Sequence, residues 1–125
     1  MNPTLLVMAG AAIGAAARYH LGRLLFHLGG PGFPYGTLAA NLLGGLLMGL
    51  LIGTLARSSF VDEPWRLFLG VGLLGGFTTF SAFSLEVLNM IERGQWTIAI
   101  GYALISVIGS VLALFTGLLA VRAIA

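Results

Sequence analysis

Four apolar runs, each long enough to cross a bilayer, take up almost all of this chain, and they decide what it can fold into. A spanning helix needs about 20 mostly apolar residues. The runs extend from about Leu5 to Phe26, Tyr35 to Ala56, Trp65 to Ile91 and Trp96 to Val121. Three short segments break them. LGGPGFPYG (28–36) carries paired glycines and prolines that stop a helix. RSSFVDEP (57–64) ends on Pro64, well placed to open the next helix. ERGQ (92–95) reads as a tight turn.

Only 8% of the residues are charged, against roughly a quarter in a soluble domain, so the chain could not cover a water-facing surface. The expected fold is an all-α membrane protein, a single four-helix domain over 1–125. The opening MNPTLLVMAGAAIG lacks a basic n-region and reads as a true first helix rather than a cleaved signal. Without cysteine there is no disulfide scaffold and no thiolate chemistry. A net charge of +2, with no basic run, gives no reason to expect nucleic acid. No carboxylate dyad, metal-ligand cluster, nucleophile–base pair or phosphate loop is present, which argues against an enzyme.

Orientation in a membrane follows the excess of Lys and Arg in cytoplasmic loops. Here Arg57, Arg66 and Arg122 fall on one side and Arg18, Arg23 and Arg93 on the other, with no lysine to break the tie. Either another signal orients the chain, or it inserts both ways round and pairs with its inverted twin about an axis in the membrane plane.

Lipid provides no hydrophobic drive between helices, so close packing depends on small residues. Gly10 and Gly14, then Gly45, Gly49 and Gly53, then Gly101, Gly109 and Gly117 form such stripes. Polar groups within the spans are costly and usually face protein or water. Asn41 offers an amide near the start of the second run, either for an interhelical bond or for a ligand. Tyr102, Ser106 and Ser110 are spaced i, i+4, i+8 and share one face of the fourth. Arg18 and Glu86 are the two embedded charges: Arg18 can snorkel, and Glu86 can be neutral or paired with an arginine. His20 and His27, without a partner cluster, do not make a metal site.

The third run holds GGFTTFSAFSLE (75–86). Gly75 and Gly76 invite a helix break, and broken backbone is tolerated at membrane depth only inside protein or beside water. Freed carbonyls at such breaks commonly hold a cation in transporters. Beyond the break Phe80, Phe83 and Ser84 share a face, with Ser81 beside it. A ring has a positive edge. Two rings edge-on among hydroxyl and amide donors would make a low-polarity route that still attracts a small anion.

At these residues the chain resembles the CrcB/Fluc fluoride channels of microbial membranes. GAAARY (14–19), GTLAANLLGG (36–45) and above all GGFTTFSAFS (75–84) look like the family's signature blocks, and the likeness covers essentially the whole chain. It implies a passive fluoride exporter of the cell membrane, built as an antiparallel, dual-topology homodimer with two pores. Phe80 and Phe83 would line the pores, with polar contacts from Asn41, Ser81 and Ser84 and a hydroxyl track through Tyr102, Ser106 and Ser110. Carbonyls of Gly75 and Thr78 would hold a structural sodium ion at the dimer centre. Arg18 would belong to a cationic vestibule and Glu86 to a polar region near the pore. Ala82 departs from the family's usual threonine, removing one hydroxyl beside the phenylalanines, and Ala9 stands where glycine is frequent. The rival is a small dual-topology, proton-coupled drug exporter. Such proteins depend on an acid in the first helix, where this chain has Arg18.

Overall fold

The computed structural model describes residues 2–57 and 63–124, and these are wholly helical apart from short turns. The 57–64 connection expected from the sequence falls largely on residues 58–62, outside the described residues. Helix α1 (Pro3–Gly29) opens on Asn2, whose side chain accepts the Thr4 N–H at 2.7 Å, with Pro3 in the first turn. It ends at Gly30, whose φ of 77° is left-handed and suits a residue with no Cβ. Helix α2 spans Tyr35–Arg57. The third span is composite: α3 (Glu63–Trp65), a π-helix over Arg66–Leu74, α4 (Gly75–Phe77), an irregular turn, then α5 (Ser81–Glu92). Gly94, with φ 76°, turns the chain into α6 (Trp96–Ile124). Four helical segments are long and apolar enough to cross a membrane, in the order expected and each somewhat longer than its apolar run, the second by a single residue.

Packing follows the glycines. A Cβ on Gly45 would lie 2.7 Å from the Ser110 carbonyl oxygen, and one on Gly49 would overlap that of Leu114. The backbones of α2 and α6 therefore run in direct contact, parallel, like the second and fourth strokes of an up-down bundle. The same device joins α1 to the third span: Cβ atoms on Gly10 and Gly14 would overlap the carbonyl oxygens of Phe68 and Leu73. Gly101 differs, since a Cβ there would meet nothing within 4 Å, so no close helix approach requires glycine at this position. Many leucines, isoleucines and phenylalanines lie exposed, which is costless where the solvent is lipid.

The third span is interrupted, but not at the two glycines. Gly75 and Gly76 remain helical, and the chain leaves the helix at Thr78, which is extended at φ −86°, ψ 159°. Glycine is a weak helix former, yet Gly76 is held in place by packing: a Cβ on it would sit 2.6 Å from the Ala11 carbonyl oxygen. These glycines serve close approach to α1, and the break falls one turn later. The π-helix has no signature in the sequence. Its wider ladder brings the Gly75 N–H to the carbonyls of both Gly70 and Gly72.

Candidate functional site

The break is opened and held by Asn41. Thr79 is the first residue whose N–H would have bonded to the Gly75 carbonyl in a continued α-helix. That N–H instead donates to Asn41 Oδ1 at 2.8 Å, while Asn41 Nδ2 donates to the Thr79 carbonyl at 3.0 Å. The amide thus takes the place of a strand of backbone, satisfying both main-chain groups of Thr79. Below it, Thr78 turns both its N–H and its hydroxyl back to the Leu74 carbonyl, at 3.0 Å each. From the other side Arg18, half-buried, reaches inward rather than to the surface, and its Nε donates to the Gly76 carbonyl at 3.3 Å.

Beside the break lies an open cavity of about 550 Å³. Asn41, Phe80, Phe83, Ser106 and Ser110 all line it, as do Gly75 and Thr78, and none of the lining residues carries a charge. Three segments of the sequence, α2, the broken third span and α6, therefore converge on one cavity. Phe83 is 8% exposed and fixed against Tyr102 with ring centroids 5.2 Å apart. Phe80 is tilted against Phe83 at 5.5 Å but is 76% exposed, at the open rim. Ser106 is buried with no hydrogen-bond partner for its hydroxyl. A buried hydroxyl without a partner usually costs about 1–3 kcal/mol, so its position on this wall marks a place where something else can accept its proton.

Ser81 and Ser84 stand apart from this cavity. Ser84 donates to the Phe80 carbonyl at 2.8 Å and is exposed; Ser81 lies 3.4 Å from the Thr79 hydroxyl. Both are tied into the first turn of α5, a local use typical of serine.

Tyr102 and Glu86 form a second polar group one step further along. Tyr102, 1% exposed, donates its hydroxyl to Glu86 Oε1 at 2.9 Å, and Thr37 donates to Glu86 Oε2 at the same distance. Glu86 is thus held by two hydroxyls, not by an arginine. Thr37 was not singled out in the sequence, although it sits four residues before Asn41 and so on the same helix face. Glu86 and Thr37 also border a smaller cavity of about 290 Å³ near the 30–34 turn, with Asn89 and Arg93. The order Ser110, Ser106, Tyr102, Glu86 therefore connects the uncharged cavity to one end of the bundle. Removing the Tyr102 hydroxyl (Tyr102→Phe) should leave the fold intact, because the ring packs unchanged. It should cost about 1–3 kcal/mol through the unpaired carboxylate oxygen, readable as a lowered thermal midpoint in detergent.

A four-span bundle with an interrupted helix and an uncharged polar cavity beside the interruption defines a multi-pass membrane protein of the transport class. The comparisons make this specific. The family described as CrcB-like protein, Camphor Resistance (CrcB) matches residues 5–118, and the chain belongs to it. A fluoride-specific ion channel FluC of Phenylobacterium zucineum is 60% identical over 123 residues, covering 98% of this chain and 97% of that protein. Proteins of the same name from Caulobacter sp. and Sphingopyxis alaskensis are 54% and 51% identical, covering 99% and 98% of this chain and 98% and 97% of their own. The relatives are channels, neither enzymes nor drug exporters.

Proposed function

We propose that the chain is a fluoride-selective channel of the plasma membrane, letting the anion leave passively down the inside-negative potential. The observation that carries this is the cavity in which Asn41, Phe80, Phe83, Ser106 and Ser110 meet without a charged side chain. Fluoride is small and tightly hydrated, so a conducting site must replace strong water bonds, yet it must bind weakly enough to let go. Neutral donors and positive ring edges suit that compromise. An arginine in the throat would hold the ion.

The cavity is open along one flank of the single chain, with Phe80 on its rim, and a second copy of the chain in inverted orientation would close it. The even split of arginines is compatible with that arrangement. In such a dimer the carbonyls of Gly75 and Thr78 from both protomers would hold a sodium ion. The fit is supported by Asn41, which diverts the Thr79 N–H and so leaves the Gly75 carbonyl without its helical partner. A bound monovalent cation would tie the two broken helices together electrostatically.

Purified protein in liposomes, followed with a fluoride electrode, tests the reading. Rapid fluoride release, unmatched by chloride and indifferent to a proton gradient, is expected; no release refutes it, and release that follows the proton gradient supports the exporter. Phe80→Ile should cut flux by at least about tenfold, the equivalent of ~1.4 kcal/mol in the barrier. The folded chain should persist, since this ring contributes little to its packing. Unchanged flux would mean the ring only covers surface.

A further inference from the structure

One side chain of the turn between α1 and α2 reaches the conducting side of the bundle. Phe33, in the LGGPGFPYG segment, is half-buried and packs against the cluster of Phe83, Met90, Ala99 and Tyr102. Its ring meets Tyr102 edge to face, with centroids 5.3 Å apart and planes at 79°, and lies 4.9 Å from the ring of Tyr35. Phe80, Phe83, Tyr102, Phe33 and Tyr35 therefore form one column of rings, with successive centroids 5.5, 5.2, 5.3 and 4.9 Å apart. The column begins on the wall of the uncharged cavity and ends at the turn.

The turn holds Phe33 in place from its own backbone. Gly30, at φ 77°, takes the chain out of α1. A residue before proline is disfavoured in the helical region, so Pro34 biases Phe33 toward extended backbone while the proline ring fixes its own φ. The Phe33 carbonyl accepts the Tyr35 N–H at 2.9 Å, and the Pro34 carbonyl accepts that of Leu38 at 3.2 Å, which opens α2. The following residues bring Thr37 to Glu86 and Asn41 to Thr79. Three residues spaced by four thus engage Tyr102, Glu86 and the broken turn in succession.

Tyr102 is the residue such a brace would serve. Its hydroxyl oxygen lies on the long axis of the ring, so rotation about that axis leaves it in place, whereas tilting the ring carries it away from the Glu86 oxygen 2.9 Å distant. Phe83 on α5 and Phe33 on the turn contact this ring from two separate elements, at interplanar angles of 49° and 79°. Edge-to-face pairs are favoured by the ring quadrupole beyond the area they bury, so the Phe33 contact sets direction as well as filling space. We infer, given fluoride conduction, that Phe33 is a positioning residue of the channel: it holds the Tyr102 ring so that the hydroxyl stays on the path between Ser106 and Glu86. It acts through Tyr102 and has no need to touch the ion.

Fluoride release from liposomes, compared among the full-length protein, its Phe33 variants and Tyr102→Phe, reads this out. Phe33→Leu keeps an apolar side chain in the cluster but has no ring edge. Flux should fall by about fivefold, the weight of the directional part of an aromatic pair, and Phe33→Trp should retain most of it. Phe33→Met makes the same comparison if the leucine variant does not fold. In a Tyr102→Phe background, itself reduced in flux, Phe33→Leu should cause no further loss, because no hydroxyl is left to position. Such a double-mutant cycle isolates the coupling between the two residues. Equal fractional losses in the two backgrounds would mean that Phe33 supports the fold at large, and would overturn its assigned role. Unchanged flux in a folded Phe33→Leu protein, or in Tyr102→Phe, overturns it as well. An unaltered protein that releases no fluoride refutes conduction itself, whereas one that conducts with no coupling between Phe33 and Tyr102 refutes the role of Phe33 alone.

Discussion

Asn41→Leu is expected to silence fluoride release and to lower the thermal midpoint of the purified protein. Leucine matches asparagine in size but neither donates nor accepts. The Thr79 N–H and carbonyl, now paired at 2.8 and 3.0 Å, would both be stranded in a half-buried site. Stranding a buried polar group costs about 1–3 kcal/mol, so the two together put the present geometry of the break ~2–6 kcal/mol uphill. The turn has a cheaper alternative, which is to give the Thr79 N–H back to the Gly75 carbonyl and resume the helix. Doing so would withdraw the carbonyl that the proposed sodium requires and swing Phe80 and Phe83 off the cavity wall. Flux should therefore fall by about a hundredfold or more, the equivalent of ~2.8 kcal/mol, with loss of any sodium-dependent stabilisation. If flux survives while the midpoint drops, the amide is structural and the pore lies elsewhere.

The reading of this chain from its residues succeeded where the cause is local and stopped where it is not. The four spans were legible because length and apolarity in bilayer units decide them, and the Tyr102–Ser106–Ser110 face because helix periodicity decides it. Break placement needed more. Gly75 and Gly76 showed their weak propensity, but not the Ala11 backbone that braces Gly76, nor an amide 38 residues away that captures Thr79. The partners of Glu86 were hidden for the same reason. Thr37 lies 49 residues before it and Tyr102 16 after, and only the packed bundle brings the two hydroxyls to one carboxylate. Ser81 and Ser84 looked equivalent to the track serines by composition. What separates them is position, since at the start of α5 the Phe80 carbonyl takes the Ser84 hydroxyl and the Thr79 hydroxyl lies beside Ser81, local partners that engage them before any ligand can. The π-helix had no legible sign, because a ladder shifted by one residue leaves the apolar pattern of a helix hydrophobic on every side unchanged.

Gly14→Ala carries the largest expected cost in stability, from a single added methyl group. That Cβ would overlap the Leu73 carbonyl oxygen and lie 2.8 Å from the Phe77 amide nitrogen. Both are backbone atoms, so no rotamer change can relieve the clash, and α1 would have to move off the third span. Overpacking costs typically 1–3 kcal/mol when side chains can yield, and here it should reach ~3 kcal/mol or more. The contact to be lost also sets the height of the break, since Gly14 braces α4 one turn before Thr78. The matching control is Gly101→Ala, where the methyl meets nothing within 4 Å. Alanine is favoured over glycine in a helix interior by up to about 1 kcal/mol, so this variant should be neutral or slightly more stable. Thermal unfolding and gel filtration in one detergent compare the pair directly. A Gly14→Ala protein as stable as Gly101→Ala would show that α1 and the third span are not in backbone contact, and the placement of the broken turn would fall with it.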